Sequence, residues 1–474
     1  MSGGVGTVAS ESLKRGRGLR LQVPQRQRLL LLIDLAVVNL ALLLGLHVTL
    51  GVSLSPATMA AHPSWFVTFS VLWLTIASAG DNYNGWRSVT PTVSLIGIGK
   101  ALALTELLYL IVPGLTPPLP PSRLLLFARV GLTAFPLVLW RLLFAAVFAM
   151  PDLKRRAIIV GAGRAGRTIA KALGESEPSH VVVGFVDDDL ALQETVVAGG
   201  KVLGRSADLG ALLTAHGATD VVFAITRDVT AEVVREVLRC YERGVRIVPM
   251  PLLYEEVTGR IPVEHVGNRW LVTLPIDSDP LDLYRVVKRG MDVVASLVGL
   301  ALLAPFFPLV ALGIKLDSPG PVFYRPERLG QGGRPFRLFK LRTMVRDADR
   351  RGDPTFTRHG DDRITRLGWL LRAAHLDELP QFINILRGEM SLVGPRPERY
   401  VAELEERIPF YRTRLAVKPG TAGWALIKQG YAEGTEATLV KLQYDLYYIK
   451  HQSLYLDVLI LVRTAVDMLF RRGR

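Results

Sequence analysis

Two adjacent carboxylates precede an apolar segment in the stretch AAHLDELPQFINIL. In a helix, Asp377 would share one face with Gln381 and Asn384, because residues three and four apart lie on the same side. Pro380 is tolerated only in a first turn, where its missing N–H costs no hydrogen bond. The spacing therefore predicts Asp377 and Glu378 at a helix N-terminus, where the helix dipole favours ionised carboxylates. An N-cap aspartate followed by a first-turn glutamate is the alternative that these residues alone leave open.

Cationic side chains with restrained backbones flank this stretch. Lys340 and Arg342 follow apolar residues in PFRLFKLRTM, and Arg396 stands between Pro395 and Pro397 in GPRPE. The two prolines fix φ on both sides of the arginine, so its guanidinium loses little entropy on binding phosphate. A rigid surface turn is the alternative for this loop. Carboxylates beside fixed cations favour phosphoryl chemistry, with Mg²⁺ held by a carboxylate and substrate phosphates.

Long apolar runs indicate that this chemistry takes place at a membrane. The chain has 474 residues, 49% of them hydrophobic, and a net charge of +14. Four runs are close to the ~20 residues that cross a bilayer as a helix: 28–52, 64–80, 93–115 and 123–149. Basic residues before the first run and after the last place both ends of this four-helix transmembrane region in the cytoplasm. The same basic residues account for the positive charge better than nucleic-acid binding does, and buried helices of a soluble protein are the alternative.

A fifth apolar run, residues 290–315, has a different pattern. Pro305 and Pro308 lie near its middle, where proline breaks or kinks a helix. Its flanks are basic on both sides, whereas a crossing segment shows charge asymmetry. The pattern predicts a re-entrant membrane hairpin that breaks at Ala304 and Pro305 and returns to the cytoplasmic face. A simple fifth span is the alternative.

A glycine loop follows an apolar strand pattern after the fourth run. Gly161, Gly163 and Gly166 have the spacing of a dinucleotide-binding turn, and Asp187 ends the next apolar segment about twenty residues later. Further apolar segments predict a Rossmann-like parallel α/β domain. A domain of this fold with a spent or regulatory site is the alternative to nucleotide binding, since no side chains for hydride chemistry accompany the loop.

These patterns divide the chain into four parts. A single cysteine, Cys240, rules out an internal disulfide framework, and no Cys/His set has zinc-ligand spacing. The predicted fold class is an α/β membrane protein. It has a four-helix transmembrane region, a Rossmann-like parallel α/β domain and a mostly helical catalytic domain that contains the re-entrant hairpin. The predicted parts are a disordered basic tail, four transmembrane helices, the Rossmann-like domain and the catalytic domain, at residues 1–27, 28–150, 151–280 and 281–474.

Residues from about 285 to 470 resemble the bacterial sugar transferases, the monotopic phosphoglycosyl transferases. Seven ordered motifs carry the resemblance: KRGMDVVASLVGL, GPVFY, FKLRTM, DDRITRLG, HLDELPQFINILRGEMSLVGPRPE, KPGTAGWA and YDLYYIKHQSLYLD. The four apolar runs and the α/β domain ahead of them look like the long form of the family. That form comprises the polyprenyl glycosylphosphotransferases of exopolysaccharide and O-antigen assembly, such as undecaprenyl-phosphate glucose and galactose phosphotransferases.

The resemblance implies a reaction and a place for it. A UDP-sugar would give its sugar 1-phosphate to undecaprenyl phosphate, releasing UMP and forming an undecaprenyl diphosphate sugar. This would be the first membrane step of exopolysaccharide, capsule or O-antigen synthesis. The enzyme would be a multi-pass protein of the bacterial inner membrane with its catalytic domain on the cytoplasmic face, and the resemblance is compatible with a homodimer.

The resemblance also implies roles for the carboxylates. In the family, the aspartate that matches Asp377 attacks the sugar-bearing phosphorus to give a covalent phosphosugar-enzyme, which the lipid phosphate then attacks. The glutamate that matches Glu378 is associated with Mg²⁺, so both carboxylates are candidate metal ligands. The Pro-Arg-Pro loop assigns Arg396 to phosphate or uridine contacts, with Lys340 and Arg342 as supporting cations.

The sequence departs from the family pattern in two places. Ala304 stands where many members have a serine before the hairpin proline, and Leu426 and Lys428 stand where many have polar glutamine and asparagine. Three other functions remain as alternatives: an NAD-dependent sugar-nucleotide enzyme built on the glycine loop, a non-catalytic membrane scaffold, and an inverting glycosyltransferase that would release UDP.

Overall fold

The chain is mostly helical and forms two compact units, Met1–Thr258 and Gly259–Arg474. The computed structural model describes residues 23–83, 88–112, 114–148, 155–176, 180–226, 229–265, 283–346, 361–398, 402–430 and 434–469. The basic tail predicted for residues 1–27 lies outside these ranges up to residue 22, and its last five residues belong to the first helix. The second unit begins before the predicted boundary at residue 281, because Ile261 N donates to Gln443 O at 3.1 Å.

The first unit begins with apolar helices at all four predicted membrane segments. They are α1 (Val23–Leu50), α2 (Pro56–Ala61), α3 (Pro63–Ala79), α4 (Pro91–Ile111) and α5 (Arg123–Phe148). By length and composition, α1, α4 and α5 can each cross a bilayer, whereas α3 has only 17 residues. Prolines begin α2, α3 and α4, where a missing backbone N–H removes no helical hydrogen bond.

Buried ion pairs join these helices to one another. Arg141 Nη2 on α5 donates to Asp34 Oδ2 on α1 at 2.5 Å, and Arg129 Nη2 on α5 donates to Glu106 Oε2 on α4 at 2.6 Å. Charges are costly in an apolar environment unless they are paired, so each pair selects one arrangement of the helices. The apolar helices therefore form a specific bundle with polar connections inside it.

A parallel α/β sheet occupies the rest of the first unit. Its elements are β1 (Arg155–Val160), α6 (Arg164–Ser176), β2 (His180–Val186), β3 (Val196–Val197), β4 (Gly200–Gly204), α7 (Leu209–Ala215), β5 (Asp220–Phe223), α8 (Ala231–Glu242), β6 (Arg246–Pro249) and α9 (Met250–Thr258). The strands run in the order β3-β4-β2-β1-β5-β6. Strands β4, β2, β1, β5 and β6 pair in parallel, whereas β3 is antiparallel to β4.

The second unit opens with a broken apolar helix pair. Helices α10 (Leu283–Leu303) and α11 (Phe307–Asp317) meet at a 65° bend, so residues 304–306 form the break that the prolines predict. Pro308 lies in the first turn of α11, where proline is tolerated. By length and composition the pair is either one broken span or a re-entrant element.

Short strands and helices make up the remainder of the second unit. The elements are β7 (Phe323–Tyr324), β8 (Glu327–Leu329), β9 (Pro335–Arg337), β10 (Lys340–Leu341), α12 (Arg366–Ala373), α13 (Gln381–Arg387), β11 (Ser391–Val393), α14 (Ala402–Arg407), β12 (Gly420–Ala422), α15 (Trp424–Gln429), α16 (Thr435–Lys450) and α17 (Leu454–Leu469). The antiparallel pairs β7–β10 and β8–β9 form a strand hairpin around a glycine-rich turn, and β11 and β12 pair in parallel. Ile385, Met390, Leu446 and Ile460 are fully buried in the core beneath them.

Candidate active site

The two adjacent carboxylates lie on a 3₁₀ turn, Leu376–Glu378, immediately before α13. They therefore lie at the N-terminal end of this helix, as the spacing predicts, but on a separate turn that precedes its first residue. His375 adopts φ = +55°, which turns the chain sharply after α12. Pro380 then occupies the N-cap of α13, because it has no N–H to donate within a helix. The carboxylates therefore stand on a tight connection between two helices.

Glu378 is held by two of the predicted cations. Lys340 Nζ donates to its Oε1 at 2.8 Å, and Arg396 Nη2 donates to the same oxygen at 2.7 Å. Burial opposes ionisation, but the charges and hydrogen bonds of Arg396 and Lys340 outweigh it and hold the pKa of Glu378 well below its usual range. Glu378 is therefore ionised at neutral pH and aligns both cations.

Asp377 has a different environment from its neighbour. It is buried, and its carboxylate makes no hydrogen bond or ion pair with any residue that the structure describes. Burial, together with the negative charge of Glu378, raises the pKa of Asp377, and more distant cations only partly offset this. A carboxylate without bound donors keeps its lone pairs free, which is the state that a nucleophile requires.

A buried amide fixes the strand that carries Lys340. Asn384 Oδ1 accepts from Phe339 N at 2.9 Å, and its Nδ2 donates to Arg337 O at 2.8 Å and to Glu389 Oε2 at 2.6 Å. The helix after the carboxylates therefore determines where the strand before them runs. Sequence reasoning placed Asn384 on the carboxylate face but did not reveal these contacts.

Arg342 lies elsewhere, and this differs from the expectation that it supports Lys340. Its Nη2 donates to the carbonyl oxygens of Ile314 at 3.1 Å and Ser318 at 2.5 Å, and to Ser318 Oγ at 3.0 Å. These carbonyls end helix α11, where a cation satisfies unpaired carbonyls and the helix dipole. Arg342 therefore connects the second hairpin helix to strand β10.

The Pro-Arg-Pro loop follows strand β11, which pairs in parallel with β12. Gly394 N donates to Ala422 O and Gly420 N donates to Pro395 O, both at 2.9 Å. A Cβ on Gly394 would lie 2.4 Å from Lys418 O, so only glycine permits this approach of the two backbones. The loop backbone is therefore held against β12, and the side chain of Arg396 reaches Glu378.

The first hairpin helix is attached to this framework. Arg289 donates to the carbonyl oxygens of Ile385 at 2.7 Å and Leu386 at 2.8 Å, at the C-terminal end of α13. Asp292 accepts from Ser391 Oγ at 3.0 Å and Leu392 N at 2.8 Å. Helix α10, which ends at the hairpin break at Ala304 and Pro305, is thus bonded to α13 and to β11, the two elements that flank the candidate site. Sequence reasoning missed both anchors, whose polar side chains lie near the start of an apolar run.

In the glycine loop of the first unit, the side chain of Asp187 accepts a hydrogen bond from the loop backbone. Gly161 has φ = +104°, and a Cβ on Gly166 would lie 1.9 Å from Gly161 O. Asp187 lies beside the loop, as its spacing predicts, but its Oδ2 accepts from Ala162 N at 2.7 Å. A Cβ on Gly163 would meet no atom within 4 Å. Asp187 therefore satisfies a backbone donor of the loop itself.

Asp377 and Glu378 are the candidate ligands for a metal ion at this site. Among the described residues, no three His, Cys, Asp or Glu side chains form a cluster that could hold an ion. Mg²⁺ commonly takes only one or two protein carboxylates and completes its shell with substrate phosphates and water. The unpartnered Asp377 and the ionised Glu378 fit that mode of binding, with the phosphates of a substrate supplying further ligands.

Comparison with known proteins identifies the second unit. The family described as "Bacterial sugar transferase" matches residues 283–471. UDP-N-acetylgalactosamine-undecaprenyl-phosphate N-acetylgalactosaminephosphotransferase from Aeromonas hydrophila is 38% identical over 62% of this chain and 67% of its own length. UDP-glucose:undecaprenyl-phosphate glucose-1-phosphate transferase from Caulobacter vibrioides is 45% identical over 44% of this chain and 79% of its own length. The Escherichia coli transferase of that name is 39% identical over 40% of this chain and 42% of its own length.

The family match spans the hairpin, the carboxylate turn and the Pro-Arg-Pro loop. The matched relatives are transferases that act on undecaprenyl phosphate, by their names. The family membership that the sequence motifs predict is therefore confirmed. This chain is a membrane-associated transferase that belongs to the bacterial sugar transferase family.

Proposed function

We propose that the protein transfers a sugar 1-phosphate from a UDP-sugar to undecaprenyl phosphate, with release of UMP. The observation that carries this proposal is the contrast between an unpartnered Asp377 and a neighbouring Glu378 held by Lys340 and Arg396. The names of the relatives supply the substrate classes, a UDP-sugar and undecaprenyl phosphate. The reaction begins a polysaccharide pathway, in keeping with a relative named as an exopolysaccharide production protein.

The proposed mechanism has two displacements at one phosphorus atom. A carboxylate oxygen of Asp377 attacks the sugar-bearing phosphorus, and the bond from that phosphorus to the UMP oxygen breaks. A phosphate oxygen of the lipid then attacks the same phosphorus, and the bond to Asp377 breaks. The nucleophile is restored, and no proton needs to be gained or lost within the aspartyl group.

Fixed positive charge supports both displacements. Lys340 and Arg396 both contact one oxygen of Glu378, so their positive charge is fixed beside the carboxylates, where it can stabilise the charge that develops on phosphate oxygens. When bound, Mg²⁺ would neutralise phosphate charge, with Asp377 and Glu378 as its protein ligands. Arg342 contributes indirectly, because it holds the second hairpin helix to the strand of Lys340.

The membrane arrangement is part of the proposal. The apolar helices of the first unit form a multi-pass region of four spans in the bacterial inner membrane, with the catalytic unit on the cytoplasmic face. Helices α10 and α11 form a re-entrant hairpin that brings the carboxylates to the lipid phosphate. The parallel sheet is a Rossmann-like domain whose glycine loop is closed by Asp187, and the enzyme acts as a homodimer.

Nucleotide release tests the reaction directly. Protein in nanodiscs receives Mg²⁺, undecaprenyl phosphate and a panel of UDP-sugars, and Asp377→Asn is measured beside the unchanged protein. We expect UMP from one or more sugars and none from the variant. UDP as the product, or UMP at an undiminished rate from Asp377→Asn, would contradict the proposal and favour an inverting glycosyltransferase or chemistry elsewhere in the chain.

A second measurement tests the covalent intermediate. Protein incubated with the active UDP-sugar, without lipid phosphate, is digested and analysed by mass spectrometry. We expect a sugar-phosphate adduct on the peptide that contains Asp377, and its loss on addition of undecaprenyl phosphate. Asp362→Asn is the matched control. Asp362 is exposed and precedes α12, the helix before the carboxylate turn, so this variant should form the adduct as the unchanged protein does.

A further inference from the structure

Arg414 holds the loop that presents Arg396. Its Nη2 donates to the carbonyl oxygen of Arg396 at 3.2 Å, and its Nη1 donates to the carboxylate of Glu398. One guanidinium therefore contacts the loop at two points, on either side of Pro397. The side chain of Arg396 extends to Glu378, so its backbone and its side chain bind different partners.

The side chain of Arg414 is itself held in place by residues of helix α16. It is buried, and its Nη2 also donates to Asp445 Oδ2 at 2.8 Å. Lys441, on the same helix, donates to Glu398, and Tyr411 Oη donates to Glu398 Oε2 at 3.0 Å. The two cations and two carboxylates form a network with balanced charge in which Arg414 and Asp445 are buried and Lys441 and Glu398 are half-buried, and this pairing favours one geometry.

Glu398 remains ionised in this network. Burial opposes its charge, but Arg414 and Lys441 outweigh burial and lower its pKa to about 2. Glu398 therefore provides a permanent acceptor for both cations at neutral pH. The loop end that follows Pro397 is thus attached to α16 by charged hydrogen bonds, which are stronger than neutral ones.

A cleft interrupts the apolar contacts on one side of the loop. It lies against Pro395 and Pro397, and Leu329, Leu415 and Val417 are on its wall. The prolines restrict the local backbone but do not fix the loop relative to α16. The contacts of Arg414 supply that restraint.

We propose that Arg414 is a positioning residue that sets the placement of Arg396 on the phosphate-binding side of the site. This inference rests on the proposed function, since it assigns Arg396 to the transferred phosphate. Lysine at position 414 would keep the charge but could not contact the Arg396 carbonyl, Glu398 and Asp445 together, because it lacks the planar fork of nitrogens. Arg414→Lys should therefore displace Arg396 without removing buried charge.

A double-mutant cycle separates positioning from a general structural role. We expect Arg414→Lys to lower kcat by about 10-fold to 100-fold with little change in the KM of the donor, because small misplacements of a catalytic group cost about this much. In an Arg396→Gln background, the same substitution should cost less than about 2-fold, since coupled residues are not additive. Rates are normalised to folded protein measured by gel filtration.

The outcomes separate this inference from the proposed function. Absence of UMP release from the unchanged protein contradicts the proposed reaction. UMP release with equal losses from Arg414→Lys in both backgrounds, or with no loss in either, overturns only the positioning role. Arg412→Lys is the matched control, because Arg412 is exposed and pairs with Glu405 at 3.2 Å on the surface, so the rate should not change.

Hydrogen–deuterium exchange provides a readout that does not depend on activity. We expect the peptide covering residues 391–398 to exchange faster in Arg414→Lys than in Arg412→Lys, while peptides from α10 remain unchanged. If Arg414→Lys does not fold, Glu398→Gln removes the charge from one of the two loop contacts and leaves Arg414 intact, and this variant enters the same cycle. Unchanged exchange at 391–398 in the folded variant would overturn the inference.

Discussion

Asp377 and Glu378 are neighbours in the chain, yet their environments shift their pKa values in opposite directions. Burial and the charge of Glu378 raise the pKa of Asp377, whereas the cations around Glu378 lower the pKa of that residue. Two carboxylates of the same turn thereby acquire different properties. One stays ionised and organises cations, and the other has free lone pairs but titrates more readily.

The pH dependence of the reaction should reflect this difference. Because a nucleophilic Asp377 must be ionised, its raised pKa predicts that kcat/KM falls on acidification at a pH above the ordinary aspartate value of 3.8. Glu378→Gln removes the neighbouring negative charge, so the acidic limb should move to lower pH even though the maximal rate declines. A pH–rate profile of UMP release measures the position of the acidic limb in the unchanged protein and in Glu378→Gln, with Asp362→Asn as the control. A limb that stays in place or moves to higher pH in Glu378→Gln would contradict this account.

Loss of the Lys340 ammonium should impair the chemical step. We expect Lys340→Gln to lower kcat by about 10²–10³-fold, as removal of one preorganised electrostatic donor commonly does. Arg334→Gln removes a positive charge from an exposed position in the same strand hairpin and should have little effect. Steady-state kinetics of both variants test this. Equal losses would indicate that overall charge, and not the contact with Glu378, is responsible.

Asn384 should contribute to stability and to activity through the strand it holds. Asn384→Ala leaves the Phe339 amide without its acceptor in a buried environment, which costs about 1–3 kcal/mol. We expect a lower thermal midpoint in detergent and a reduced rate. Gln331→Ala, an exposed residue of the strand hairpin that donates to Ala416 O, is the control. An unchanged midpoint for Asn384→Ala would show that another acceptor or a water replaces the side-chain oxygen of Asn384.

Two glycines of the α/β loop should respond differently to the same substitution. Gly166→Ala places a methyl group 1.9 Å from Gly161 O, whereas Gly163→Ala meets no atom within 4 Å. We expect the first change to destabilise the α/β region by about 1–3 kcal/mol, as overpacking does, and the second to be neutral. Thermal unfolding monitored by exchange of peptides from β1 and β2 distinguishes them. Similar behaviour of the two variants would contradict the close packing at Gly166.

Local patterns in the sequence were sufficient to find much of the candidate site. The Asp377–Glu378 pair, the Pro395–Pro397 loop and the hairpin break follow from short-range rules of helix capping, proline geometry and hydropathy. The apolar runs likewise gave the helices close to their true ends. Each of these features depends on residues that are adjacent in the chain.

The features that sequence reasoning missed depend on contacts between distant residues. Arg342 belongs to the same motif as Lys340, but it lies just beyond the end of strand β10, so it caps helix α11 while Lys340 reaches Glu378. Arg414 and Asp445 are 31 residues apart and meet only in the folded unit. The 3₁₀ turn at the carboxylates follows from the positive φ of His375, which no residue preference indicates.

The attachment of the first hairpin helix has a consequence for the geometry of the enzyme at a lipid surface. Arg289 and Asp292 fix α10 to α13 and β11, and a Cβ on Gly299 would lie 2.4 Å from the ring of Phe382. The first hairpin helix and the helix after Asp377 therefore form one packed framework. In the proposed membrane arrangement, the depth of this helix in the bilayer would set the height of Asp377 relative to the plane of lipid phosphates, so one element would both anchor the protein and position its carboxylate.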